Sequence, residues 1–140
     1  MNARLTINTE NAEQGAGIFL YTDCEYVYVN DTAQIIYRDK ERGYSVTIGL
    51  NRDKVSLLRI KEVPDDAGNV SVVKQFNVLT ALRPDFKEMV DTESMELLFL
   101  SDGLGIDYGE RYASVSVKCL ISVYGNKPVP SRLSVQCVLK

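Results

Sequence analysis

The sequence predicts an all-β protein, a single antiparallel up-and-down barrel of about eight to ten strands. Thirty-one of the 140 residues are Val, Ile or Thr and eight are Tyr, which are residue types enriched in strands. Apolar and polar residues alternate over several short segments, and turn residues separate these segments. A two-sheet β-sandwich is the alternative architecture. Closing the meander into a barrel has the advantage that it removes exposed edge strands.

The chain begins with a polar segment, residues 1–16, in which 4–9 is a candidate first strand. This segment lacks the apolar stretch of a signal peptide, and no run of about eighteen apolar residues occurs anywhere in the chain. We therefore expect a cytoplasmic protein that does not cross a membrane. We interpret 1–140 as one β-barrel domain, because this length suits a single hydrophobic core.

Two hairpins are predicted in the first half of the chain. The first joins 26–29 to 34–37 across Asn30-Asp31-Thr32, where Asn and Asp tolerate turn dihedrals. The second joins 44–50 to 55–61 across a polar turn. In its symmetric register the apolar residues of both strands point to one face, as expected for a half-buried hairpin.

The middle of the chain is less regular. Strands are predicted at 70–79, 95–100 and 105–108, separated by polar or glycine-rich turns. Residues 85–90 follow a proline and form either one short helix or a bulky loop. The glycine-rich run 103–109 is interpreted as a turn, because no helix follows that could make it a phosphate-binding loop.

A closing hairpin is predicted from 113–124 and 132–140, with Pro128 at its centre and both Pro128 and Pro130 in the turn between the strands. This register places Cys119 directly opposite Cys137. With three cysteines, no metal-binding spacing and no secretory signal, the thiols are expected to be reduced and packed side by side. A disulfide or redox pair is the alternative.

Composition excludes several classes of function. The chain contains no histidine, which removes Ser–His and Cys–His catalysis and imidazole metal ligands. Nineteen acidic against 16 basic residues give a net charge of −3, which argues against nucleic-acid binding. The acidic stretch Glu88, Asp91, Glu93 and Glu96 has no spacing that forces a desolvated catalytic pair. The sequence thus predicts no enzyme, no metal and no cofactor.

Arg59 is the first candidate ligand contact. The hairpin register that buries Val55 and Leu57 puts Arg59 on the same inward face, opposite Val46. A guanidinium inside a small barrel is costly unless it is paired, so it would bind a carboxylate or an anionic ligand. The alternative is that the inward run ends at Leu57 and that Arg59 lies at the rim in water.

Three tyrosines are the other candidate ligand contacts. Tyr26 and Tyr28 share one strand face with Cys24, and the first hairpin sets Tyr37 and Ile35 across from them. Tyrosine combines an apolar ring with a hydroxyl group, as small-molecule sites require. Ordinary aromatic packing is the alternative interpretation of this face.

The order of the predicted pieces resembles a known family. The pieces are Tyr26-Val27-Tyr28 with Ile35-Ile36-Tyr37-Arg38-Asp39, Val55-Ser56-Leu57-Leu58-Arg59, Asp91-Thr92 with Leu97-Leu98-Phe99, and 116–123 with 132–138. They resemble the YwiB-like proteins, small uncharacterised bacterial calycin-like barrels whose fold is similar to that of lipocalins. The chain departs from the family pattern at Ile60-Lys61-Glu62 and at Met95, where the family has glycine. The resemblance implies a lipocalin-like fold and a capacity to bind ligands, and no established activity.

Two functions are expected from these observations. The first is a non-catalytic, small-ligand-binding barrel that holds a small apolar or acidic ligand. The second is a structural or protein-interaction module, including a homodimer, that uses a strand edge or the 84–95 loop. Phe86, Met89 and Val90 would form the contact patch of that loop.

Overall fold

The computed structural model describes residues 1–11, 19–91, 95–123 and 126–140. Ten antiparallel strands make up the fold, and the described residues include no helix, hence none long and apolar enough to span a membrane. The strands are β1 (Asn2–Asn11), β2 (Phe19–Val29), β3 (Thr32–Asp39), β4 (Tyr44–Leu50), β5 (Lys54–Pro64), β6 (Val70–Thr80), β7 (Lys87–Asp91), β8 (Met95–Tyr108), β9 (Tyr112–Val123) and β10 (Val129–Leu139).

All ten strands belong to one sheet in the order β6-β5-β4-β3-β2-β1-β10-β9-β8-β7. Each strand pairs with its neighbour in the chain, except at the β6–β7 junction, and β1 closes onto β10. The sheet curls into a nearly closed barrel, so that β6 and β7 are its two edge strands and contact each other. The predicted all-β antiparallel barrel is confirmed.

The two early hairpins form as predicted. Asn30 and Asp31 link β2 to β3 with positive φ angles of 53° and 61°, which is the two-residue turn that matches the twist of paired strands. In the next hairpin, β4 pairs with β5 and Val46 stands opposite Arg59. Because Val46 and Arg59 are both buried, this register sets Arg59 inside the barrel rather than at the rim.

The interpretation of 85–90 as a short helix or loop is wrong. Residues Lys87–Asp91 form strand β7, which pairs with β8. Burial alternates along it, with Val90 buried and Met89 exposed, as the side-chain period of a strand requires. The segments 95–100 and 105–108 are likewise one strand, β8, which is interrupted by a bulge between Leu100 and Gly105.

The predicted register of the closing hairpin is also wrong. Cys119 stands opposite Ser131, and Cys137 stands opposite Ala113. The reason is that Pro130 does not belong to the turn: it lies at the start of β10 and pairs with Leu120. Proline is tolerated near the first residue of a strand, so β10 begins earlier than the prolines suggested and every later partner shifts.

The barrel interior holds one continuous apolar core. Its largest fully buried side chains include Tyr26, Leu5, Ile35 and Ile121. They alternate with less buried residues along their strands, so one face of each of these strands points to the core. The inward exceptions are polar residues near the edge strands, and they define the site described next.

Candidate ligand-binding site

A cavity of about 670 Å³ opens into the barrel beside the β3–β4 turn. Its inner wall is apolar, whereas charged residues at the end of β3 and in the turn, among them Arg38, Lys40 and Arg42, surround its mouth. This volume lies within the range of small-molecule sites, and the combination of apolar walls with a few polar groups is typical of them. Within the part of the chain that the structure describes, this cavity is therefore the candidate ligand-binding site.

Arg59 lies in the wall of this cavity and is only 7% exposed. Its Nη1 donates to Gln75 Oε1 at 2.7 Å and to the carbonyl oxygen of Asp91 at 3.2 Å. The guanidinium carbon stands 4.2 Å from the centre of the Tyr44 ring, which adds a cation–π contact. Packing and two neutral acceptors thus hold the charge in place.

These contacts use only one of the three guanidinium nitrogens. Within the described ranges, no acceptor pairs with Nε or Nη2 of Arg59, and no carboxylate forms an ion pair with it. Neither nitrogen is among the described fully buried polar atoms that lack a hydrogen bond, so both keep contact with the cavity. An anion in the cavity would supply the missing partner.

Tyr37 lines the same cavity and is half-buried. Burial raises the pKa of its hydroxyl to about 12, and the nearby carboxylate of Asp39 acts in the same direction. The hydroxyl therefore stays protonated at neutral pH and can donate a hydrogen bond. No hydrogen bond joins it to another residue in the part of the chain that the structure describes, so it too is free to contact a ligand.

Tyr26 occupies a different place from the one the strand face suggested. It is fully buried, and its hydroxyl donates to the carbonyl oxygens of Gly109 at 2.6 Å and Tyr112 at 2.9 Å. Burial raises the pKa of this hydroxyl to about 12. Tyr26 does not line the cavity. Its hydrogen bonds hold the β8–β9 turn against the core.

Tyr28 lies near the same end of the barrel as Tyr26. Its hydroxyl contacts Asp31 Oδ1 at 3.3 Å, and its ring stands 6.2 Å from that of Tyr108. Of the four predicted ligand contacts, the structure therefore brings only Arg59 and Tyr37 together at the cavity. A shared strand face places side chains inside the barrel, but it does not say at which depth they lie.

The β3–β4 turn at the cavity mouth is ordered by its own side chains. Asp39 Oδ1 accepts from the Arg42 backbone N–H at 3.2 Å, and Asp39 Oδ2 pairs with Arg42 Nη1 at 3.2 Å. Gly43 closes the turn with a φ of +75°, a conformation that favours glycine. The turn thus has a defined shape at the cavity entrance.

A second, smaller cavity of about 80 Å³ adjoins the first and shares five wall residues with it: Ile48, Leu57, Phe99, Leu133 and Val135. Its described lining is apolar except for Asn77 and Glu88. Asn77 Nδ2 donates to Glu88 Oε2 at 2.8 Å and to the Met89 carbonyl at 3.2 Å. The sequence pattern does not single out Asn77, and it shows Glu88 only as part of an acidic stretch, although the spacing of Glu88 to buried Val90 is that of a shared strand face.

The predicted interaction patch is split by the structure. Met89 is exposed, Phe86 is half-buried against the core, and Val90 is only 2% exposed and lines the larger cavity. The Arg83 guanidinium covers the Phe86 ring at 5.0 Å. These three residues do not form one continuous surface.

The cysteines lie away from the cavity. Cys24 and Cys137 approach to 3.5 Å between their sulfur atoms, and Cys119 is buried elsewhere on β9. All three are free thiols, and burial raises their pKa values, to about 12 for Cys137. Among the described residues no group of three or more His, Cys, Asp or Glu side chains could hold a metal ion.

Comparison with known proteins identifies a structural neighbour. The fold is similar to that of the ywiB protein from Bacillus subtilis. The crystal structure of that protein superposes with a TM-score of 0.60 over 99% of this chain and 90% of the other, at 11% sequence identity. No protein-family model matches the sequence, and no curated protein matches it. At this identity the likeness establishes a YwiB-like fold.

Proposed function

We propose that this protein is a non-catalytic binding protein that holds a small ligand in the barrel interior. The observation that carries the proposal is Arg59, a buried cation with two unpaired nitrogens in the wall of a cavity of about 670 Å³. Tyr37 would add a hydroxyl donor, and the apolar inner wall would hold the rest of the ligand.

The proposal also concerns the cellular compartment of the protein and its relation to other barrel families. We infer that the barrel works in the cytoplasm and belongs with the calycin-like barrels, which hold ligands in their interiors. Three free cysteines are typical of a reducing compartment, and the meander topology supports the relation to calycin-like barrels. The absence of histidine from the sequence favours binding over catalysis.

Binding of an apolar anionic dye, anilinonaphthalene sulfonate, tests the proposal. We expect saturable fluorescence enhancement with the purified chain, and a loss of affinity of about tenfold in Arg59→Gln, because a charge-assisted hydrogen bond disappears. Arg111→Gln is the matched control, since Arg111 is exposed and outside the cavity. Equal affinity in both variants, or no saturable binding at all, contradicts the proposal.

Self-association through the edge strand β6 is the second candidate function. The first half of β6 pairs only with β5, and four of its apolar side chains are exposed: Val70, Val72, Val73 and Phe76. An exposed apolar edge strand is a template for pairing with another chain. A second copy of this protein would meet the same edge and extend the sheet.

Light scattering after size-exclusion chromatography tests this second function. We expect a dimer for the unmodified chain and a monomer for Val72→Lys, because a charge on the edge blocks strand pairing. Val138→Lys is the control: Val138 is similarly exposed but lies on β10, which is paired on both sides. A monomeric unmodified chain contradicts this candidate.

A further inference from the structure

We propose that the cavity takes an organic anion with one charged end and an apolar tail, and that Glu88 excludes a ligand with a second negative charge. The inference rests on the proposed binding function, because it names the chemistry of the ligand that the same cavity would hold.

The two inward charges stand on successive layers of the barrel wall. Arg59 is opposite Gln75 in the β5–β6 register, and the next inward pair is Leu57 with Asn77. Glu88 is fixed at the level of Asn77 by the hydrogen bond from Asn77 Nδ2. Because two residues along a strand span about 7 Å, the cationic and anionic levels differ by about that distance.

The space beyond Arg59 is suited to a hydrocarbon chain. The wall residues that the two cavities share are all apolar, Leu57 and Phe99 among them. Deeper in, Val55, Leu79 and Val115 line the smaller cavity. A headgroup at Arg59 and Tyr37 would therefore direct its tail past Leu57 toward the inner end.

Charge complementarity differs at the two ends of this path. A carboxylate at Arg59 meets free N–H donors, whereas a second carboxylate at the inner end meets Glu88. In the described lining of the smaller cavity no cation offsets Glu88. Like charges repel, and Glu88 is partly shielded from water, so a dianion is disfavoured there. A neutral ligand would leave Arg59 without its anion.

Calorimetric titration of the full chain with octanoate, octanol and octanedioate tests the inference. These probes share one chain length and differ in their end groups: octanoate has one carboxylate, octanedioate has two, and octanol has a neutral hydroxyl. We expect octanoate to bind about tenfold more tightly than octanol, since a hydrogen bond to a charged group is at stake, and about tenfold more tightly than octanedioate.

Two variants, Glu88→Gln and Tyr37→Phe, and one control variant test which residues cause the selectivity. Glu88→Gln keeps the shape of the side chain and an oxygen acceptor for Asn77, and we expect it to strengthen octanedioate binding about tenfold while octanoate binding changes less than threefold. Glu62→Gln makes the same chemical change at an exposed position of β5 and should change neither. Tyr37→Phe should weaken octanoate binding and leave octanol binding unchanged.

The outcomes separate this inference from the binding function. If octanol binds as tightly as octanoate, or if Glu88→Gln leaves octanedioate binding unchanged, the ligand class is wrong and the binding function stands. If neither the three probes nor the dye binds, both are wrong. Binding of the probes to the unmodified chain needs no variant, so a folding defect in one variant cannot hide the result.

Discussion

Arg59 on β5 donates a hydrogen bond to the carbonyl oxygen of Asp91 on β7, and thereby links the β5–β6 end of the sheet to the opposite edge strand. The contact from Asn77 on β6 to the Met89 carbonyl does the same one layer away. Where β6 and β7 meet, side-chain hydrogen bonds thus take the place of backbone hydrogen bonds. Their acceptors are the backbone carbonyls of alternate β7 residues. The gap in the barrel and the candidate ligand site share Arg59, so the same side chain that contacts β7 would also contact a ligand under the proposed function.

The first prediction concerns the stability of this junction. Asn77→Ala removes the hydrogen bonds to Glu88 and Met89, so we expect the free energy of unfolding to fall by about 1–3 kcal/mol. Urea denaturation measures the change. Asn8→Ala, at an exposed position of β1, is the control and should change stability by less than about 0.5 kcal/mol. Equal effects of the two substitutions would show that the junction contributes nothing.

The second prediction distinguishes a structural role of Tyr26 from the proposed ligand-binding role of Tyr37. Tyr26→Phe removes the hydroxyl that binds the Gly109 and Tyr112 carbonyls, so it should lower the free energy of unfolding by about 1 kcal/mol and leave dye affinity unchanged. Tyr37→Phe should lower dye affinity and leave the free energy of unfolding unchanged, because the Tyr37 hydroxyl forms no described hydrogen bond. Denaturation and dye titration of both variants check this. A loss of dye binding in Tyr26→Phe would contradict the placement of Tyr26 outside the cavity.

The sequence predicted those features of the fold that depend on local pattern. Alternation defined the faces of the β4–β5 hairpin, and a short turn fixed its register, so the inward position of Arg59 could be derived. Features that depend on tertiary context were not accessible. The sequence pattern places Pro130 in a turn, because the pairing of Pro130 with Leu120 is visible only in the folded sheet. β7 is short and follows a proline, so the sequence pattern does not reveal that it is a strand. The inward position of Glu88 therefore cannot be derived from the sequence.

The third prediction concerns the thiols. Cys24 and Cys137 contact each other, but β1 lies between their strands. Strands two apart are separated by about 9–10 Å, beyond the Cα separation that a disulfide allows. We therefore expect all three cysteines to stay reduced and to react with a thiol reagent only on unfolding, since burial also raises their pKa values. Rapid labelling of the native protein, or a cross-linked peptide containing Cys24 and Cys137, would contradict this.

The fourth prediction is a loss of stability in alkali. Burial raises the pKa of Tyr26 and Tyr37 from 10.0 to about 12, that of Cys137 from 9.0 to about 12 and that of Cys119 from 9.0 to about 11. The folded state therefore keeps protons that the unfolded state releases, and the free energy of unfolding must fall as pH rises above about 9 and continue to fall to about 12. Below pH 9 these groups are protonated in both states and contribute no pH dependence. Urea denaturation at a series of pH values measures the slope, and Tyr26→Phe should make it shallower above pH 10. A free energy of unfolding that stays constant between pH 9 and 12 would show that the buried hydroxyl and thiol groups ionise as readily in the folded chain as in the unfolded one.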